Sequence, residues 1–288
     1  MVAIFDKMSR QIHVHVHIVG LNRSLSVTGG SIRKHVIEPL ERAPALRLTA
    51  SLVLIRPGKE VVNPRTGESG LVEEKISAPL DSLPRSFLDQ SVLEARTEGD
   101  WSRLISRGDV FSDGGNSIRF SLVYLSALKE SRKMIPGSPD VIIVLRPDIE
   151  IRGRLWIVVR TFRLAIAARF GLVSVLVPAW GNYGGVNDRF AILQGHVAET
   201  YITRLNRIRQ WHGTARKFDP ESFLKFSLRA YRVKQSIYTP MVRIRIGGRT
   251  EPRDLSFFSR PPILTRFRDM TMALVRSVRE LLVPVHRP

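Results

Sequence analysis

Cysteine is absent from this 288-residue chain. That excludes disulfides, thiolate metal sites and a cysteine nucleophile, and it leaves the compartment open. An uninterrupted apolar run of membrane-spanning length is also missing. The best candidate, Leu155 to Val177, is broken by Arg160, Arg163 and Arg169, each costly in lipid. Met1 to Arg10 carries Asp6, Lys7 and Arg10 beside no continuous apolar core, so no secretory signal is expected there. Acidic residues are few: 26 Asp and Glu against 45 Lys and Arg, a formal charge of +19. Such an excess predicts an anionic partner, whether nucleic acid, acidic lipid or a phosphorylated substrate. The arginines run along the whole chain, which argues against a dedicated basic arm. No RNP-like aromatic strand, helix-turn-helix or zinc finger accompanies them, so no specific nucleic acid is expected.

What is present can build a sizeable core, at 43% hydrophobic and 25% charged residues. Gln11 to Val19 reads as an opening strand, with Thr28 or Ser31 capping a helix that runs to Leu40. Leu46 to Ile55 reads as a second strand, and Pro57 to about Ser82 as a long excursion without a period. Glu94 to Gly115 is irregular, anchored by Trp101. Apolar residues at Ile118, Leu122, Leu125 and Leu128 predict a helix over Asn116 to Met134. A strand at Val141 to Leu145, a helix to about Phe170 and a strand at Leu172 to Val177 follow. Further helices are expected at Gly195 to Gln210 and from Asp219-Pro220-Glu221, where Asp caps and Pro takes the first position. Ile237 to Ile246 reads as a late strand, alternating Val242, Ile244 and Ile246 with Arg243 and Arg245. A Pro-rich stretch and a helix over Arg266 to Leu282 close the chain. Alternating strands and helices predict an α/β fold around a mostly parallel, covered sheet.

The apolar run Val141 to Leu145 ends in R-P-D-I-E. In open α/β sheets ligands bind beyond the carboxyl ends of strands. Asp148 and Glu150 at such an end suit Mg²⁺ or Mn²⁺ held against a diphosphate; the plainer reading is a solvated turn. His13, His15 and His17 share one strand face. They spread over about 13 Å, too far to converge on one ion, so a packed or half-buried polar face is expected instead.

Four segments in order carry a resemblance. They are the strand end G-L-N-R-S (Gly20 to Ser24), with its helix reaching E-P-L at Glu38 to Leu40, and D-G-G-N-S-I-R-F-S-L-V-Y-L (Asp113 to Leu125). Strand-R-P-D (Arg146 to Asp148) and W-G-N-Y-G-G-V-N-D-R-F-A-I (Trp180 to Ile192), with D-P-E-S at Asp219 to Ser222 beyond, complete them. This series, spanning roughly residues 11 to 225, resembles glycosyltransferases of the GT-A-like nucleotide-diphospho-sugar transferase superfamily. The resemblance implies a Rossmann-type sheet in a single domain. Residues 11–150 would form the nucleotide-sugar half, 151–250 the acceptor half and 251–288 a tail. It implies a nucleotide-diphosphate sugar bound by Gly20, Arg23, Asn116, Arg119, Arg146, Gly185, Asn187, Arg189 and Glu221. Asp148 would hold Mn²⁺ or Mg²⁺, and Asp188 would be the catalytic base or the carboxylate that orients the sugar. The usual metal signature of such enzymes is D-x-D, and here Arg146 stands at its first acidic position. Arg146 offers a bidentate fork to phosphate in place of part of a metal's charge.

Several of these residues also have simpler roles open to them. Arg23 suits a solvated turn, while Asn116 and Asp188 suit helix caps and Glu221 a helix's first turn. The implied acceptor is a glycan or a lipid-linked cell-envelope intermediate. A cytoplasmic protein is expected, touching the inner membrane face through Arg152, Arg154, Arg160, Arg163 and Arg169. The rival class is a non-catalytic cationic protein that holds nucleic acid or polyanionic glycan on a decayed transferase fold.

Overall fold

A computed structural model describes residues 11–57, 61–63, 67–70, 88–95, 100–169, 172–214 and 216–257. The expected helix over Arg266 to Leu282 lies outside them, as does most of the tail. The first strand, β1 (Ile12–Leu21), is buried along nearly its whole length because neighbours cover both of its edges and both of its faces. It leads into helix α1 (Leu25–Ile32), which passes through a π turn (Arg33–Ile37) into α2 (Glu38–Glu41). Pro39 removes one helical N–H, and the widened turn lies just before it. The helix begins earlier than Thr28 or Ser31, because the Asn22 side chain accepts from the Leu25 N–H at 3.3 Å. Thr28 and Ser31 instead lie inside α1. There the Thr28 hydroxyl donates to the Pro147 carbonyl, and Ser31 accepts from the Ile151 N–H.

After β2 (Leu46–Arg56) the expected excursion contains a small hairpin, β3 (Val61–Asn63) with β4 (Glu68–Gly70). Next come β5 (Leu88–Glu94), α3 (Ser102–Arg107) and α4 (Asn116–Glu130), the last extended by a 3₁₀ turn to Met134. β6 (Val141–Leu145), β7 (Ile149–Ile151), α5 (Ile157–Arg169) and β8 (Val175–Pro178) follow, then β9 (Phe190–Gln194). The single helix expected over Gly195 to Gln210 is broken into α6 (Gly195–Ile202), a 3₁₀ turn and α7 (Ile208–His212). α8 (Pro220–Ser227) starts as its cap predicts, with the Asp219 carboxylate accepting from the Ser222 N–H at 3.0 Å. β10 (Val233–Ile237) is not among the expected strands; the strand expected over Ile237 to Ile246 begins only after Pro240 and is confined to β11 (Met241–Arg243), and α9 (Pro252–Ser256) follows.

The fold is α/β, with a seven-stranded sheet in the order β10-β8-β9-β6-β1-β2-β5. Only β9 runs against the others, so the sheet is mostly parallel. From β1 the chain moves to β2 on one side, and β6 later returns to the other. The ends of β1 and β6 therefore form a switch point, where an open sheet leaves a crevice. One face of the sheet packs on α1, α2 and α5, and the other on α4 and α6. A satellite cluster joins α3, α4, α7 and α8.

The three histidines of β1 are fully buried rather than half-buried. They alternate with hydroxyls in one chain. Ser131 donates to the Leu128 carbonyl at 2.8 Å, so it accepts from His17 Nε2–H, also at 2.8 Å. His17 Nδ1 then accepts from Ser51, which in turn accepts from His15 Nε2–H at 2.9 Å. His15 Nδ1 accepts from Thr49, which accepts from His13 Nε2–H at 3.0 Å. One proton per hydroxyl fixes the direction of the chain, and His15 and His17 in it are neutral Nε2–H tautomers.

Candidate functional site

Beyond the carboxyl ends of β1, β2 and β6 lies a cavity of about 170 Å³. Gly20, Leu21 and Ile55 close its floor; Phe111 with Ser117, Phe120 and Tyr124 of α4 forms one wall. Tyr183, Asp188, Pro220 and Glu221 form another. Six arginines line it: Arg23, Arg146, Arg189, Arg243, Arg245 and Arg253.

Carboxylates behind the lining hold most of these guanidinium groups. Asp148, 1% exposed, accepts from Arg146 Nε at 2.9 Å and Nη2 at 2.6 Å, and from Arg23 Nη1 at 3.2 Å. Glu68 bridges Arg23, at 3.4 Å, to Arg245, at 3.1 Å, and Glu251 takes the far side of Arg245. Arg146, Asp148, Arg23, Glu68, Arg245 and Glu251 thus form one continuous row of alternating charge. A second group centres on Asp254, which meets Arg189 at 3.0 Å and Arg243 at 3.0 Å.

This arrangement sets the ionisation of its members. Burial opposes the Asp148 charge, but Arg146 and Arg23 outweigh it and hold the carboxyl well below its ordinary value. Burial and the repulsion of Arg146 and Arg245 outweigh the pull of Asp148 and Glu68 on Arg23, bringing it to about 10, still protonated at neutral pH. Glu221 moves the other way: burial, then the charges of Asp219 and Asp188, push its carboxyl well above its ordinary value.

Arg23 Nε and Arg189 Nη1 face the Glu68 and Asp254 carboxylates at 3.4 and 3.0 Å without hydrogen-bond geometry, and the buried Tyr124 hydroxyl has no hydrogen-bond partner among the described residues. Native proteins rarely leave such donors unsatisfied unless a ligand or water completes them. The Asp188 carboxylate lines the same cavity, half-buried, and among the described residues no hydrogen bond or ion pair engages it.

The cavity gathers six of the residues singled out in the sequence: Gly20, Arg23, Arg146, Asp188, Arg189 and Glu221. Five others sit outside its lining. Asp148 lies behind Arg146. Asn187 is turned inward, its amide donating to the Trp180 carbonyl at 2.8 Å while its oxygen accepts from Arg189 N–H at 2.9 Å. Gly185 packs on α8, and a Cβ there would fall 2.1 Å from the Glu221 carbonyl carbon. Asn116 and Arg119 bond back to the Asp113 and Gly114 carbonyls at the start of α4. Gly20 serves close approach too, since a Cβ there would fall 2.8 Å from Pro147 Cδ.

The residues missed in the sequence are Arg243, Arg245 and Arg253, with Glu68, Glu251 and Asp254 behind the arginines, and Tyr124. The alternation of Arg243 and Arg245 with buried Val242 and Ile244 was the available signal, because it turns both arginines to one side.

No protein-family model matches the chain, and no curated protein does. Solved structures do. Mouse xyloside xylosyltransferase 1, in its apo form, aligns at 9% identity and a TM-score of 0.37, over 78% of this chain and 84% of that one. A candidate glucose-1-phosphate thymidylyltransferase from Bacillus anthracis, in complex with sucrose, aligns at 7% identity and a TM-score of 0.39. That match covers 91% of this chain and 95% of the other.

A divalent cation on Asp148 was tested against these contacts. Both carboxylate oxygens already accept guanidinium N–H groups, and Glu150 is engaged by Arg152 at 2.8 Å. Among the described residues no cluster of three His, Asp or Glu has metal-holding geometry. The residues as arranged do not fit Mn²⁺ or Mg²⁺ at this position.

Proposed function

We propose that the protein is a transferase of the GT-A-like class, moving a sugar from a nucleotide-diphosphate donor to a hydroxyl of a glycan or lipid-linked acceptor. The observation that carries this reading is one cavity at the switch point, lined by six arginines beside the half-buried Asp188 carboxylate, which no hydrogen bond or ion pair engages among the described residues. The six arginines, set against the four carboxylates Asp148, Glu68, Glu251 and Asp254, leave two positive charges in excess as countercharge for the diphosphate, a task a metal ion performs in other phosphate sites. The enclosed volume is smaller than a usual ligand pocket of roughly 300–1,000 Å³. It holds the charged centre of the donor, and the nucleoside lies along the mouth between Phe111, Phe120 and Tyr183. Asp188 takes the proton of the attacking hydroxyl as the new glycosidic bond forms. The diphosphate leaves with the electron pair of the broken bond, and its charge develops against the arginines. Glu221, protonated, donates a hydrogen bond to the sugar.

Thermal stabilisation by UDP-, GDP-, CMP- and dTDP-sugars, with and without Mn²⁺, tests the reading. At a hundred times its dissociation constant a donor adds about 2.7 kcal/mol. We expect one nucleotide to shift the melting temperature equally with and without Mn²⁺, and Arg146→Ala to abolish the shift. A shift that requires Mn²⁺ would restore the metal role of Asp148. No shift with any donor, with salt-sensitive binding of arbitrary polyanions, would favour the non-catalytic reading that the +19 charge supports.

A further inference from the structure

A second concavity, about 850 Å³, shares no lining residue with the arginine cavity. Lys34, His35 and Pro39 form one wall, and the segment from Ile151 to Val158 forms the other. Trp156 stands at its edge, 55% exposed, with its backbone at φ 54°. An aromatic residue seldom occupies that left-handed region without a reason. Here it keeps a large ring in water, with the Arg154 guanidinium 4.4 Å above it.

Trp156 immediately precedes α5, and Val159, Arg163 and Ile166 follow it at three, seven and ten residues. These spacings place Val159, Arg163 and Ile166 on one side of the helix, with Trp156 at its start. Val159 is 42% exposed, Ile166 54% and Leu172, just past the helix, 56%. Isolated exposed apolar residues need no explanation, but a stripe at helical spacing beside cations does. The cations are Lys34, Arg154 and Arg163, all exposed, and among the described residues none is in an ion pair. The other two basic residues here are committed. Glu150 holds Arg152, and Arg160 turns inward to the Leu155 and Ser236 carbonyls.

We propose that this face docks on an anionic lipid bilayer. Trp156, Val159 and Ile166 enter the headgroup region, while Lys34, Arg154 and Arg163 face lipid phosphates. Charge complementarity selects this occupant. A second copy of the chain would set unpaired cations against unpaired cations across a two-fold axis. A nucleic acid would leave the aliphatic stripe unused. Tryptophan suits the boundary between water and lipid, and mixed apolar and basic faces bind there without spanning. The inference does not rest on the transferase reading, and a failure of nucleotide-sugar binding leaves it standing. If both hold, the enzyme works at the surface where lipid-linked acceptors reside.

Flotation of the full chain with vesicles tests it, using phosphatidylcholine alone and mixed with phosphatidylglycerol, at low and high salt. We expect binding to the mixed vesicles only, weakened by salt, with a blue shift of tryptophan fluorescence. The Lys34→Glu/Arg154→Glu/Arg163→Glu variant should bind at least about tenfold more weakly, each charge near such a surface contributing to partition. Trp156→Ala should bind several-fold more weakly and lose the blue shift. Both variants change exposed side chains and should melt like the wild type. Absence of vesicle binding, equal binding to neutral vesicles, or variants that bind like the wild type would each overturn the proposal. Binding of single-stranded oligonucleotides in place of vesicles, or a dimer dissolved by Trp156→Ala, would overturn it too and give the face to that partner.

Discussion

Asp148 and Asp188 stand near the same cavity, yet they are in opposite circumstances. Asp148 is buried and accepts three guanidinium hydrogen bonds, whereas Asp188 is half-buried and accepts none among the described residues. Removing one partner of a buried ion pair strands the other charge, at about 3–5 kcal/mol. Asp148→Asn should therefore lower stability by about 3 kcal/mol in urea denaturation, and added Mn²⁺ should not recover it. Asp188→Asn has no such pair to break and should stay within about 1 kcal/mol of the wild type. Its effect should appear on Glu221 instead. The negative charge of Asp188 helps to raise the Glu221 carboxyl, so its removal should lower that pKa. Carboxyl-carbon NMR titration would follow the shift, and an unmoved Glu221 would show that the two do not face each other. Donor binding should survive Asp188→Asn while turnover falls, since the arginines remain and the base does not.

The loop between β8 and β9 owes its shape to contact with another element. Gly185 has no unusual φ, yet an added Cβ would fall 2.1 Å from the Glu221 carbonyl carbon and 2.4 Å from the Ser222 nitrogen. Gly114 is the reverse case, with φ 67° and nothing within 4 Å. Gly185→Ala should force the loop off α8 and cost about 3 kcal/mol, and Gly114→Ala about 1 kcal/mol through conformation alone. Thermal melting of the two variants would separate space from backbone strain. The same contrast explains what could be read in the sequence. α4 and β6 were legible because one period of apolar residues specifies each of them, and the Asp219 cap because it acts within three residues. β5 and β9 were not, since an edge strand rich in polar residues and a five-residue antiparallel strand carry little local pattern. At the site, Arg23, Arg146, Asp188 and Arg189 could be found as turn residues at strand ends. Glu68, Glu251 and Asp254 could not, because their meaning comes from arginines far away in the chain. Asn116 and Arg119 were picked from the helix that does line the cavity, but Ser117, Phe120 and Tyr124 are the residues it presents there.

Across the whole molecule, buried groups whose protonation differs between the folded and unfolded chain set how stability follows pH. Burial, with His13 and Arg132 close by, brings His15 down to about 3, and burial with His15 and Arg132 close by holds His17 well below its ordinary value. Thr49, Ser51 and Ser131 fill their ring nitrogens, so the ladder accepts no further proton without breaking a hydrogen bond. Both rings regain an ordinary pKa near 6.5 on unfolding, and the unfolded chain gains two protons as pH falls below that value. Glu221 opposes this trend. Its raised pKa means the folded chain holds one proton that the unfolded chain lacks until pH approaches 4.5. Below pH 6.5 His15, His17 and, to a smaller extent, the partly buried His35 favour proton uptake by the unfolded state, against Glu221 alone, so stability should fall as pH falls from 6.5 to 5. Asp148 and Asp254, held below their ordinary values, contribute at lower pH and leave this window unchanged. Glu221→Gln removes the opposing proton. It should steepen the slope and raise stability at pH 7.5, where burial disfavours the Glu221 carboxylate. His15→Asn/His17→Asn should lose stability at pH 7.5 and flatten the slope, leaving Glu221 and His35 to oppose each other. Urea denaturation at intervals from pH 7.5 to 5 would measure all three profiles, and a wild-type curve flat across that range would contradict the neutral histidine ladder.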